Sequence, residues 1–364
     1  MSEQTPAAPQ ETKRTGTPGG APPADEHRRV EAAAAAEGDT RSRFGRFMGS
    51  SFGRNLGLVI ALLVLCAVGV ATAGDRFAST DNMLTILRLA SGIGVVSIGM
   101  TFVIIGGGID LSVGAIVALS SVWATTLATQ RMAEDTHWIV MVFTALAVGV
   151  GCGLVNGVLI AYGGMAPFIV TLAMLAAARG LAELISERRT QIIEVRALVD
   201  FINGDFLGVP VLIWIFAVVS AIGWVLLNRT TFGRRTIAVG GNATAARLAG
   251  ISVKRHTVLL YALLGLACGI AAVMLMARTT TGSSTHGLYW ELDAIAAVVI
   301  GGTLLTGGRG TIVGTIFGVL IFMTLTNVFT LNNLDSSTQA VAKGAIIVIA
   351  VLLQQRVAAR SDSS

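Results

Sequence analysis

The chain is poor in charge, lysine and histidine. Asp, Glu, Lys and Arg make up 13% of its 364 residues, about half the share in a soluble domain. The three lysines, Lys13, Lys254 and Lys343, follow Thr12, Val253 and Ala342, never a glycine. A phosphate-binding loop needs its lysine directly after a glycine-rich turn, so that the amine reaches the β- and γ-phosphates. ATP hydrolysis by that chemistry is excluded. The four histidines, His27, His137, His256 and His286, are scattered, with no HExxH and no cysteine partner. That offers no metal-ligating pattern. No serine has a His/Asp set that the sequence brings near it, which argues against an intramembrane protease. Cys66, Cys152 and Cys268 each lie in an apolar run without disulfide or zinc spacing. They read as small buried hydrophobes. No resident cofactor is expected.

What fills the chain is apolar: 53% of its residues are hydrophobic. A spanning helix needs about 20 mostly apolar residues. The candidate segments are Leu56–Ala73, Leu84–Ile105, Leu111–Thr129, Trp138–Tyr162, Pro167–Ile185, Val209–Leu227, Thr257–Ala277, Leu292–Leu305, Thr311–Leu331 and Thr338–Leu353. The eighth is short and glycine-flanked, and is not expected to cross as an ordinary helix. The fold expected is all-α, a polytopic membrane protein of about ten transmembrane helices with glycine-interrupted segments.

Lys and Arg gather on the cytoplasmic side of membrane proteins. Residues 229–256 hold Arg229, Arg234, Arg235, Arg247, Lys254 and Arg255 and no acid. Arg41, Arg43, Arg46 and Arg54 precede the first segment, and Arg356 and Arg360 follow the last. With all three regions inside, six segments precede the basic loop and four follow it, so both termini are cytoplasmic. Ser186–Gly208, where arginines mix with Glu187, Glu194, Asp200 and Asp205, becomes an outer loop. Residues 1–50 are rich in Pro, Ala, Gly and mixed charge. They have too little apolar surface to offset the entropy of ordering, and lack the residue order of a cleavable signal peptide. The chain thus divides into a disordered cytoplasmic tail at 1–50, a transmembrane domain at 51–356 containing the loop 229–256, and a short cytoplasmic tail at 357–364.

Inside the apolar region stands "IIGGGIDLSVGAIVALSS", Ile104–Ser121. Each glycine costs a helix about 1 kcal/mol relative to alanine, so Gly106, Gly107 and Gly108 should interrupt it. Unwound backbone at membrane depth is tolerated only when buried in protein or lining a wet cavity. A new helix is expected from Asp110, whose carboxylate can cap the N–H groups of Ser112 and Val113, with Ser112 as a second capping oxygen. Asp110 has two compatible readings, a cap in a tight turn and a group on a pathway; a proton carrier is the sharper third. A second interruption lies in "ELDAIAAVVIGGTLLTGGRGTIVG", Glu291–Gly314, where Glu291 and Asp293 precede two glycine pairs. Broken segments in both parts of the chain suggest two pseudo-symmetric halves. The acids also suit an exposed first helical turn.

In "TFGRRTIAVGGNATAARLAGISVKRHT", Thr231–Thr257, Asn242 is a good N-cap, Ala243–Ala249 favour helix, and Gly250 suits the left-handed position after it. A helix of two turns is marginal alone in water. It must pack on this protein or on a partner; a basic loop held by lipid headgroups is the competing reading. Arg179 within the fifth segment is left open, and Lys343 reads as snorkelling or pairing near a boundary. Asn156 reads as helix–helix glue, and Pro167 as the first residue of its helix.

Four ordered stretches carry a resemblance. "GGGIDLSVGAIVALSS" resembles the GGxDLSVG signature of permease subunits of ribose/xylose-type sugar ABC importers. "NGVLIAYGGMAPFIVTLAML", "RTTFGRRTIAVGGNATAARLAGISVKRH" and "ELDAIAAVVIGGTLLTGGRGTIVGTIFGVLI" resemble later blocks of the same family, and only the N-terminal tail falls outside the match. The resemblance implies a bacterial inner-membrane permease, paired with a second copy or a paralogue. Its further partners would be a cytoplasmic ATP-binding-cassette ATPase and an extracytoplasmic sugar-binding protein. It implies a coupling helix at Gly240, Gly241, Asn242, Ala245, Ala246, Arg247, Leu248 and Gly250. The expected pathway residues are Gly106, Gly107, Gly108, Asp110, Ser112, Asn156 and Asp293. Branched-chain amino acid or nucleoside cargo is the near alternative. An ion-coupled transporter using Asp110 or Arg179 is the distant one.

Overall fold

Helices dominate wherever the apolar runs predict them. The computed structural model describes residues 51–361; the tail expected at 1–50 and residues 362–364 lie outside the described residues. α1 (Ser51–Ala73) leads through the single turn α2 (Asp75–Ala78) into α3 (Thr80–Ile105). After the glycine break come α4 (Val113–Ala124) and α5 (Leu127–Asp135), bent by 55° between them. α6 (Ile139–Ala161) and α7 (Pro167–Ile185) follow, with Pro167 at the start of its helix as expected. The connection from 186 to 210 holds β1 (Gln191–Ile192), α8 (Arg196–Asn203) and the short hairpin β2 (Asp205–Phe206) and β3 (Val209–Pro210). Then come α9 (Val211–Arg229), α10 (Thr231–Gly241), α11 (Ala243–Leu248), α12 (Val253–Thr279), β4 (Thr281–Gly282), α13 (Trp290–Ile300), α14 (Ile312–Leu331) and α15 (Ser336–Ser361).

Among the described residues, seven helices are long and apolar enough to cross a membrane: α1, α3, α6, α7, α9, α12 and α14. The bent α4–α5 pair makes an eighth if taken as one span. The expectation of about ten therefore differs from what length and composition support. The third expected segment breaks because Thr125 and Thr126 interrupt it, their hydroxyls bonding back to carbonyls of the preceding turn. The eighth shrinks to α13, whose 11 residues span about 16 Å, half the apolar thickness of a bilayer. α15 carries the tenth segment and continues as helix through Ser361, past the boundary drawn at 357.

α3 and α12 form the centre. In their apolar windows 89% and 67% of residues are buried, against 11% for α1. A helix apolar all round belongs inside, and both fit that pattern. α12 lies against α6 with almost no side chain between them. Gly149, Gly153 and Gly157 are four apart on α6; the first two lie against Gly265, Gly269 and the Tyr261 carbonyl of α12, and Gly157 lies against the Val258 backbone. A Cβ on Gly149 would sit 2.9 Å from the Gly269 amide nitrogen, and one on Gly153 would strike the Tyr261 carbonyl. Small residues at this spacing let membrane helices approach backbone to backbone.

Two sets of contacts mark opposite ends of the bundle. At one end β1 pairs antiparallel with β4, Gln191 opposite Gly282, tying the 186–210 connection to the end of α12. Gln130 reinforces this by donating to the carbonyls of Thr125 and Ile192 at 2.9 Å and accepting from the Glu194 amide at 2.8 Å. At the other end the two glycine breaks and the segment 240–250 come together.

Candidate pathway and coupling site

The first break follows the chemistry of its residues, with one correction. The N–H groups of Gly106, Gly107 and Gly108 still bond back into the last turn of α3, at 2.9 Å each. Gly107 then takes φ +85°, where a side chain would be strained, and the helix stops. α4 begins at Val113, not at Asp110. The reason is that Asp110 closes its own turn: one carboxylate oxygen accepts the Ser112 N–H at 2.7 Å and the Ser112 hydroxyl at 2.5 Å. Val113 is not among its donors, and Ser112 sits at the N-cap with its side chain turned back to Asp110 rather than to the helix.

Asn156, on α6, donates to the other Asp110 oxygen at 3.3 Å and to Ser112 Oγ at 3.0 Å. All three side chains are buried, Asp110 at 1% exposure and the others at 0%. Tyr261, on α12, donates its hydroxyl to the Ile109 carbonyl at 3.2 Å. A buried carboxylate needs such donors to persist in an apolar interior. The cluster ties the break to α6 and α12, and it is closed to solvent in this conformation.

The glycines of the break face elsewhere. Gly308 N donates to the Ile105 carbonyl at 2.8 Å. A Cβ on Gly107 would lie 3.7 Å from Gly240 Cα, and one on Gly307 would lie 3.1 Å from Gly107 Cα. Three glycine stretches, 106–108, 240–241 and 307–308, therefore meet main chain to main chain. Beside them opens a cavity of about 360 Å³, lined by Gly106–Gly108, Gly240–Asn242, Thr257, Tyr261 and Thr306 among others.

The 231–250 segment is more structured than its sequence suggests. α10 was not expected. Thr230 caps it by accepting the Gly233 N–H, and Thr236 bonds His256 of α12 at 2.9 Å inside the protein. Phe232 packs between Phe102 and His256, at ring distances of 6.0 and 4.7 Å. α11 forms as predicted. Asn242 Oδ1 accepts the Ala245 N–H at 2.9 Å. At the far end Gly250 takes φ +83°, with Gly250 N bonded to Arg247 O and Ile251 N to Ala246 O, both at 3.0 Å. That pair of bonds closes the helix C-terminus. Ala246 is buried, whereas Leu248 is 85% exposed.

The remaining ionisable groups lie apart from these clusters. Asp293 pairs with Lys343 of α15 at 3.4 Å, and that ammonium also lies 5.0 Å from the Phe322 ring centre. The boundary pairing expected for Lys343 is therefore present, and Asp293 is its partner. Arg179, left open by the sequence, donates to the carbonyls of Ser284 and His286 and so clasps the connection after β4. His286 itself meets Ser121 at 3.0 Å and Thr279 at 3.3 Å. Burial, with Arg278 and Arg179 nearby, pushes its pKa down to about 4, so the imidazole is neutral.

Sequence reasoning missed Tyr261, Thr257, Thr306 and the part played by Gly307 and Gly308. Tyr261 did leave a signal: a tyrosine inside an apolar helix must find a partner for its hydroxyl.

A chain of packed apolar helices with broken segments and a capped surface helix has the form of a multi-pass transport permease. Comparison with known families agrees: residues 82–351 match the family described as branched-chain amino acid transport system / permease component. The chain belongs to that family. It is 42% identical over 305 residues to the ribose import permease protein of Bacillus subtilis, covering 83% of this chain and 93% of that one. It is 39% identical over 302 residues to the ribose import permease protein of Escherichia coli K12, covering 82% and 92%. It is also 39% identical over 300 residues to the L-arabinose ABC transporter permease protein of Azospirillum brasilense, covering 82% and 87%. No solved structure matches the chain.

Proposed function

We propose that this chain is the membrane-spanning permease subunit of an ATP-driven importer for a monosaccharide, taking sugar from an extracytoplasmic binding protein. Its relatives at 39–42% identity are named for ribose and L-arabinose, which supports sugar over the amino acids of the family description. The subunit works as a pair with a second copy or a paralogue. α13 and the stretch 301–311 together make one crossing, and the α4–α5 pair another. With α15 the total is ten crossings in two related halves. The basic segment 229–256 and both termini are cytoplasmic, and the β1–β4 end faces outward.

The observation that carries the reading is α11. It is a short helix sealed at both ends, presenting bare Leu248 and Arg247, and Gly240 and Gly241 just before its cap meet both glycine breaks. A helix of six residues does not hold itself in water; its caps and its buried Ala246 hold it, and the exposed rim is a fit for a groove on the ATPase. Gly240–Gly250 is thus the coupling element, and Gly106–Gly108 with the Asp110, Ser112 and Asn156 cluster belong to the wall of the pathway. Asp293 serves it by holding α13 to α15.

The test is copurification of the ATPase with the tagged chain. Arg247→Glu is expected to release it while the permease remains in the membrane. Sugar uptake into vesicles driven by a proton gradient alone, without ATP or ATPase, would overturn the reading in favour of ion coupling.

A further inference from the structure

The cavity beside the glycine junction has the chemistry of a solute site. It holds about 360 Å³, within the range of small-molecule pockets. Among the described residues, no hydrogen bond ends on the carbonyls of Gly106, Gly107 or Gly108, and none uses the hydroxyls of Thr257 or Thr306. Asn242 spends its carbonyl oxygen on the α11 cap, which leaves its amide N–H groups free. The wall therefore carries main-chain acceptors beside hydroxyls and an amide that can donate. No acidic or basic side chain lines it. A neutral polyol can satisfy such a wall. A zwitterionic amino acid would bring two full charges to a wall that offers no side chain of opposite charge to either, which disfavours it relative to a neutral polyol.

We infer that this cavity is an inner subsite for the transported sugar, entered after the Asp110 cluster and emptied into the cytoplasm. The inference rests on the importer reading above. Part of the wall is the coupling element itself: Gly240, Gly241 and the α11 cap Asn242 line the cavity, so a push on Leu248 and Arg247 reshapes it directly. The subsite is thereby coupled to the ATPase without any intermediate helix. The same wall explains selection against amino acids at the last step, after the binding protein has made its own choice.

The test uses the whole transporter, permease with ATPase and binding protein, in proteoliposomes with the inner face accessible. Thr306→Cys is made in a chain whose Cys66, Cys152 and Cys268 are replaced by alanine, and maleimide labelling is timed with D-ribose, L-arabinose or L-leucine. The transported sugar is expected to slow labelling about threefold or more at saturation, with leucine without effect. Thr257→Cys repeats the measurement from the opposite wall, should the first variant fail to assemble. Sugar uptake without protection at either cysteine, or equal protection by leucine, overturns the subsite and leaves the importer intact. Failure of the unmodified complex to take up any monosaccharide overturns both.

Discussion

Gly240→Ala should uncouple this protein while Gly241→Ala should leave it unharmed. A methyl on Gly240 would run into the Ile105 carbonyl oxygen, and it would lie 2.8 Å from both Ile105 C and Gly308 N. Ordinary contact begins near 3.4 Å, and all three atoms are backbone, so no side chain can swing aside. Overpacking of this kind costs about 1–3 kcal/mol. The methyl also enters the space of the Gly308–Ile105 hydrogen bond, and leaving that buried pair unmade costs about 1–3 kcal/mol more. The sum, about 2–6 kcal/mol, exceeds what one surface helix can absorb. The protein escapes it by moving α10 off the breaks. On Gly241 a methyl meets nothing within 4 Å, and alanine is the better helix former by about 1 kcal/mol. The assay is ATP-dependent sugar uptake by the reconstituted complex, set beside its ATP hydrolysis. Gly240→Ala is expected to cut uptake per ATP hydrolysed about tenfold or more, with the ATPase still bound; Gly241→Ala should match the wild type. Normal uptake by Gly240→Ala, or equal loss in both, would refute the argument that backbone contact at this junction transmits the stroke.

Three further outcomes follow from single contacts. Asn242→Ala removes the α11 cap and should cost about 1 kcal/mol of local helix, read as weaker ATPase retention on an affinity column with unchanged thermal stability of the solubilised permease. Lys343→Met leaves Asp293 without its cation and should lower the melting temperature in detergent, whereas adding Asp293→Asn should recover most of the loss, because a buried pair harms chiefly when half of it is removed. His286 is neutral in the fold, with a pKa of about 4 against about 6.5 when unfolded. Above pH 6.5 both states are neutral and nothing changes. Between 6.5 and 4 only the unfolded chain takes the proton, so stability should fall by up to about 3 kcal/mol as pH drops, a slope that His286→Asn should flatten in thermal-shift scans.

Much of the fold was legible because its signals are one-dimensional. Apolar run length marked α1, α3, α6, α7, α9, α12 and α14, and Pro167 and Asn242 marked helix starts through local backbone rules. The Gly106–Gly108 break was legible too, as was the left-handed Gly250. The start of α4 was misplaced by three residues because capping from sequence assumes the carboxylate reaches forward into a helix, and Asp110 instead closes a turn on Ser112 and accepts from Asn156, 46 residues away. α10 was hidden because Gly233, Gly240 and Gly241 lower helix propensity. Packing of Phe232 and the Thr236–His256 bond overrides that propensity, and neither contact is local. The α6–α12 seam was likewise out of reach: its glycines read as weak helix residues until the opposing helix shows why a Cβ has no room. Thr257 and Thr306 become a candidate site only because Gly240 brings α10 against both breaks.

The two uses of glycine here are physically opposite, and together they say which parts can move. Along α6 and α12 the glycines let carbonyls and amides of two long helices touch over several turns, and any sliding would drive backbone into backbone. The Asp110–Ser112–Asn156 cluster pins the first break to that same pair, so this part behaves as one rigid block. At the junction of 106–108, 240–241 and 307–308 the contact is a single point with one interchain-like hydrogen bond and no interlocking side chains. Separating it there leaves one buried hydrogen bond unmade, at about 1–3 kcal/mol, whereas sliding the seam drives backbone into backbone over several turns. Under the proposed reading, force arriving at Leu248 and Arg247 therefore parts the molecule at the junction and leaves the seam intact, and the cavity that borders the junction is the space that opens.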